Sequence, residues 1–208
     1  MSPHDLLRLA PGTPDFAGAP AWVAASLKRA PFVVVRRCAS RNGLIAVGVR
    51  GEIRSERFGS WLDPRHVEEV FKPEALKDVP PSVARAKLPA FAMLQAIAPL
   101  CDASGCLWGP TGSTGFELAS GCATVTQTSD LDLLMRAPER LDRAKATTLF
   151  DALSKAALEL DTRIDVQIDT HDGVFSLAEF VHPGARVMLR CADGPKLVTD
   201  PWQASRAA

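Results

Sequence analysis

Asp130 and Asp132 stand two residues apart in the apolar run "TQTSDLDLLMR", residues 126–136. If the run is a strand, positions i and i+2 project to one side. Both carboxylates then face the same way, while Leu131 and Leu133 face the core. Carboxylates this close repel, and one gains a proton unless a cation lies between them. Oxygen donors of this kind suit Mg²⁺, and Mn²⁺ accepts the same set. The alternative is a strand with a solvated acidic edge, and a bare Asp-x-Asp does not separate the two.

The neighbouring stretches favour the metal. "WGPTGSTGFELASG", residues 108–121, places Thr111, Gly112, Ser113 and Thr114 at the start of a short helix. Backbone N–H groups at such a start are suited to a phosphate, although glycine-rich turns also serve as ordinary loops. A third carboxylate, Asp165, lies in "RIDVQID", where Asp165, Gln167 and Asp169 share a face. Asp130, Asp132 and Asp165 together suit two Mg²⁺ ions clamping a triphosphate for in-line displacement. Arg136, Arg36, Arg37 and Lys87 are the candidate phosphate-binding cations, set against a plain reading as solvated charges. Trp108 and Trp202 suit base stacking or, more simply, core packing. Glu117, three residues after Thr114, has the spacing of a capping box.

These residues need elements to hold them. "FVVVRR", Asn42-Gly43, "LIAVGVRG" and "EIRSERF" read as strands joined at an Asn-Gly hairpin turn. At "WLDPRHVEEVF", Asp63 can cap a first helical turn containing Pro64. "LPAFAMLQAIAPL" reads as a helix from Pro89 to near Pro99, and a long helix is expected from Pro138. "TGFELASG" is a short helix stopped at Gly121, and "VMLRC" to "KLV" a closing hairpin. The Pro-rich connector near 79–87 divides the chain into a small N-terminal β-rich domain, 1–82, and a second domain, 83–208. The fold class is α+β.

Bulk properties narrow the function. The 208 residues carry 24 Lys+Arg against 24 Asp+Glu, so there is no basic excess for a polymeric nucleic acid. Hydrophobic content of 47% supports a core. No run of about 18 apolar residues suggests a membrane span, and no signal pattern precedes "HDLLRL". A soluble cytoplasmic protein is expected. Five irregularly spaced cysteines and four scattered histidines do not suggest a zinc site or disulfides.

The order Gly-Ser, helix, Asp-x-Asp strand, helix, apolar-Asp-apolar strand resembles the nucleotidyltransferase superfamily that includes DNA polymerase β. The likeness implies a mixed sheet flanked by helices. It matches Gly112 and Ser113 to the Gly-Ser signature, Asp130 and Asp132 to the metal pair, and Asp165 to the third carboxylate. Ser113 to Asp130 exceeds the usual spacing, so "GFELASGCATVTQ" must hold an extra turn. With that spacing, "WGPTGSTGFELASG", "TSDLDLLMR" and "DPW" (200–202) look like the phosphoribosyl-dephospho-CoA transferases of malonate decarboxylase, also called its holo-acyl-carrier-protein synthases. The resemblance implies transfer of a phosphoribosyl-dephospho-CoA group from triphosphoribosyl-dephospho-CoA to a serine of the apo acyl carrier protein subunit. Diphosphate is released, Mg²⁺ is the cofactor, and Gly112 and Ser113 bind the phosphates; Thr111 of the same turn and Arg136 of the basic candidates are the further donor contacts expected from the residues themselves. The analogous citrate lyase transferase and a non-catalytic nucleotide-binding module are the competing readings.

Overall fold

The computed structural model describes residues 1–39, 41–53, 55–184 and 186–203. The first half is an antiparallel sheet with one helix: β1 (Leu6–Leu9), α1 (Ala21–Arg29), β2 (Phe32–Val35), β3 (Ile45–Arg50), β4 (Arg57–Leu62) and β5 (Val67–Phe71), in spatial order β4-β3-β2-β1-β5. The Asn-Gly expectation holds: Asn42 and Gly43 have φ of 49° and 73° between the bridged Arg41 and Leu44. Two consecutive positive φ values match the turn to the twist of its strands. "EIRSERF" is strand only from Arg57. Its earlier residues form the connection closed by Gly51 N–H to the Glu56 carbonyl at 3.0 Å, and Arg54 lies outside the described residues. Asp63 does cap, accepting from Arg65 N–H at 2.9 Å, but the turn lasts only Pro64–His66 before the β-rich "VEEVF" pairs with β1.

The second half runs α2 (Pro73–Leu76), α3 (Pro89–Asp102), β6 (Leu107–Pro110), α4 (Gly112–Ser120), β7 (Leu131–Arg136), α5 (Arg143–Glu159), β8 (Ile164–Asp169), β9 (Val174–Ser176), α6 (Leu177–Val181), β10 (Val187–Cys191) and β11 (Gly194–Val198). The six strands lie in order β11-β10-β9-β8-β7-β6, and only β7 and β8 are parallel, joined through α5. The fold is α+β with a mixed sheet flanked by helices, as expected. Helix α3 passes through Pro99 instead of closing there. The carbonyl that Pro99 leaves unbonded is that of exposed Gln95, where water can take the place of the missing N–H. The long helix begins at Arg143 and not at Pro138, because Asp142 supplies the cap, accepting from Lys145 N–H at 2.9 Å. Residues 137–142 are a connection, pinned where Trp202 Nε1 donates to the Ala137 carbonyl at 2.8 Å. Trp202, Phe175 and Phe180 pack with ring centroids 5.3–5.4 Å apart, so Trp202 is a core residue. Trp108 is also buried, donating to Asp102. Among the described residues no helix is long and apolar enough to cross a membrane.

Alternation along β2 joins the two halves. Val33 and Val35 pack beneath α1, whereas Phe32 turns the other way and meets Phe116 of α4 at 6.1 Å. A part-buried charge network lies at the same junction. Arg136 donates to Asp169 at 2.7 Å, to Asp5 at 3.4 Å and to Glu74, and Asp169 also accepts from Arg37. Helix α2 sits so close to β6 that a Cβ on Gly109 would lie 1.8 Å from the Pro73 carbonyl oxygen. Pro73–Leu76 thus packs on the second sheet, although it precedes the Pro-rich connector.

The extra turn between Ser113 and Asp130 is built on Glu117. Its carboxylate accepts from Thr124 N–H at 2.7 Å, from Val125 N–H at 2.8 Å and from Arg85. Glu117 is therefore a loop anchor, not a helix cap. α4 begins at Thr111 without a side-chain cap and ends at Gly121 with φ 72°. Burial raises the Glu117 carboxyl, but the Arg85 guanidinium and the two N–H groups outweigh it and hold the group below its ordinary value. Its contribution to stability is then complete above the unfolded value of 4.5 and is lost as pH falls through the lower folded value. Glu117→Ala, which leaves two N–H groups and Arg85 without their acceptor, should cost about 2–3 kcal/mol and lower Tm by about 5–10 °C. Thermal melts of Glu117→Gln should show a smaller fall in Tm than wild type between about pH 6 and pH 3.

Candidate active site

The site begins where β6 turns into α4. Thr111 N–H donates to the Asp132 carbonyl at 2.8 Å, tying the start of the helix to β7. Gly112 then takes φ 57°, and a Cβ there would lie 1.9 Å from Asp132 Oδ2. Only glycine fits this approach, and the required φ also favours glycine. The first intrahelical bond runs from Gly115 N–H to the Thr111 carbonyl at 2.9 Å. The N–H groups of Gly112, Ser113 and Thr114 precede it and lie at the positive end of the helix dipole. Thr124 Oγ donates to the Ser113 carbonyl at 3.0 Å, so the loop held by Glu117 also braces this turn.

Asp130 and Asp132 both line the cleft above that turn, with Thr111, Gly112 and Ser113. Asp130 is ion-paired with Arg163. Asp165 is the register partner of Asp132 across the parallel β7–β8 pair, hence on the same face of the sheet. It is exposed, however, and stands outside the cleft lining. Among the described residues no group of three His, Cys, Asp or Glu side chains is disposed to hold a metal. The pair Asp130 and Asp132 nonetheless fits Mg²⁺, which is usually held by one or two carboxylates together with substrate phosphates.

The cleft encloses about 770 Å³ between the two halves of the molecule. This is within the usual range for a small-molecule site. Arg29, Arg50 and Arg57 come from the N-terminal side, Arg163 from the start of β8. None of these four cations was among the sequence candidates. Arg163 had a signal: it immediately precedes β8, which puts it beside Asp130 once β7 and β8 pair in parallel. The other three depend on the contact between the two halves. Of the candidates named, Arg136 and Arg37 are instead ion-paired at the junction, Arg136 with buried Asp5 and part-buried Glu74 and Asp169, Arg37 with Asp169. Arg136 lies at the far end of β7 from Asp132 and is committed to three acidic groups, so the structure replaces its expected donor contact with a junction role. Arg36 lies against Gly48 and Gly59, and Lys87 is exposed on the connector; neither lines the cleft.

Two family models match the chain. One, described as phosphoribosyl-dephospho-CoA transferase MdcG N-terminal domain, covers residues 2–73. The other, phosphoribosyl-dephospho-CoA transferase MdcG C-terminal domain, covers residues 76–201. Curated relatives named phosphoribosyl-dephospho-CoA transferase are similar over nearly the whole length. The protein from Pseudomonas fluorescens Pf-5 is 41% identical over 99% of this chain and 96% of its own. That from Pseudomonas putida GB-1 is 40% identical over 99% and 97%. That from Azotobacter vinelandii DJ is 39% identical over 97% and 94%. No solved structure matched the chain. With both domains matched and the Gly-Ser turn set directly against its aspartate pair on one side of the cleft, this chain belongs to the phosphoribosyl-dephospho-CoA transferase family.

Proposed function

We propose that the protein transfers the 2'-(5''-phosphoribosyl)-3'-dephospho-CoA group from its triphosphoribosyl precursor to a serine of the apo acyl carrier protein subunit of malonate decarboxylase. The serine oxygen attacks the α-phosphorus of the triphosphate. A phosphodiester forms, the bond from the α-phosphorus to the oxygen bridging toward the β-phosphorus breaks, and diphosphate leaves. The observation that carries this reading is the placement of Gly112, Ser113, Asp130 and Asp132 on one wall of one cleft, in a chain of this family.

The placement of these groups supports the following roles. The first N–H groups of α4 bind triphosphate oxygens. Asp130 and Asp132 hold Mg²⁺, which neutralises the triphosphate and the departing diphosphate when bound. Asp165, in register with Asp132 but outside the cleft lining, would serve as the third carboxylate and take the serine proton. Arg163 faces the same wall and supplies positive charge to the phosphates.

The test incubates the protein with apo carrier, Mg²⁺ and the triphosphoribosyl donor, and weighs the carrier by mass spectrometry. The carrier should gain one phosphoribosyl-dephospho-CoA group. An unchanged carrier, with folded enzyme and intact donor, contradicts the proposal. Modification of a citrate lyase carrier in its place reassigns the acceptor. Asp130→Asn and Asp132→Asn should each slow transfer by more than the ~10–100-fold typical of losing an outer-shell metal partner, with unchanged circular dichroism. Asp165→Asn should slow it too, and a wild-type rate there removes Asp165 from the site. Gly112→Ala should behave like Asp132→Asn in the transfer assay, because the new Cβ occupies the position of the Asp132 carboxylate.

A further inference from the structure

Arg50 and Arg57 are Cα partners at the end of the β3–β4 pair. Directly opposed residues on antiparallel strands share a face, and like charges placed so destabilise the pairing. Both line the cleft. Arg29, at the end of α1, lines it as well and is ion-paired with Glu52. Among the described residues that line the cleft from this half, three are arginines, Arg29, Arg50 and Arg57, and one is a carboxylate, Glu52. Arg50 opposite Arg57 is not in itself a stabilising cross-strand pair. An anion lying across both would turn their repulsion into attraction, and planar guanidinium groups suit phosphate oxygens in pairs.

The opposite wall holds the other anion-directed set, the start of α4 with Asp130 and Asp132. A cleft with two such sets fits a ligand with two separate phosphate groups. Phe32, Val34 and Phe116 add apolar surface to the same cleft, suited to uncharged parts of that ligand. The donor of the proposed transfer has this form: a reacting triphosphate on its ribosyl group, and a diphosphate linking the pantetheine arm to adenosine.

We propose that Arg50 and Arg57 bind the internal diphosphate of the dephospho-CoA moiety, so that the N-terminal sheet selects the donor while the Gly-Ser turn takes the triphosphate. This rests on the transfer reading above. Arg50 already has a partner within the protein, which makes Arg57 the more informative position.

Calorimetric titration of the full chain with two probes tests it: dephospho-CoA, which lacks the triphosphate, and inorganic triphosphate with Mg²⁺. Loss of one charge-assisted contact should weaken dephospho-CoA binding by about tenfold in Arg57→Gln, and comparably in Arg50→Gln. Mg²⁺-triphosphate affinity should stay at the wild-type value. Asp132→Asn should show the reverse pattern. Arg57→Lys, which keeps the charge, should recover part of the dephospho-CoA affinity. Arginine variants that bind dephospho-CoA as wild type does, or that weaken both probes equally, overturn the assignment. If they do so while wild type still modifies the carrier, the transfer reading stands and only this inference falls. Wild-type protein that binds neither probe overturns both.

Discussion

The site depends on one close approach. The start of α4 is pressed onto β7 so tightly that Asp132 Oδ2 occupies the space where a side chain on residue 112 would begin. Thr111 N–H holds the backbone of Asp132 from the other side. Helix start and aspartate are thus held together by the Thr111 N–H bond and by this close approach. A triphosphate needs this coupling: donors for its oxygens and ligands for its counter-ion must be placed together before the substrate arrives. The Glu117 carboxylate extends the constraint outward by holding Thr124 and Val125, and with them the loop that leads into Asp130.

A second requirement is that the two sheets stay docked. The apolar part of the joint is Phe32 against Phe116, with Phe71 of the same sheet packed beside Phe32. The polar part is Arg136 surrounded by Asp5, Glu74 and Asp169, with Arg37 on the last. Breaking a buried pair of this kind by removing one partner is costly, so the network fixes which surfaces meet. The result is a cleft with one wall from each half, the metal-directed carboxylates on one side and most of the arginines on the other. The N-terminal sheet is thereby part of the site and not only a support for it.

Much of this was legible in the sequence because the signals were local. Asn42-Gly43 required a turn with two positive φ values, Asp130 and Asp132 had strand spacing, and "RIDVQID" alternated. Gly121 ended α4 where a left-handed stop was expected. The errors came from rules with a competing solution. Pro138 resembled a helix start, but Asp142 had the better cap. Glu117 had capping-box spacing, yet its carboxylate is used on a loop seven and eight residues further on. Arg136 looked available because its partners, Asp5 and Glu74, are more than 60 positions away in the chain. Arg29, Arg50 and Arg57 were invisible as site residues for the same reason: only the docking of one half on the other brings them to the cleft.

The central claim is that Asp130 and Asp132 hold a metal-bound triphosphate at the Gly-Ser turn. Electron paramagnetic resonance of Mn²⁺, titrated into the protein with inorganic triphosphate present, tests it without requiring turnover. Wild type should bind the ion with saturation at the triphosphate-loaded site, and Asp132→Asn, folded as wild type, should not. Equal Mn²⁺ binding by the two proteins would place the metal elsewhere and contradict the account.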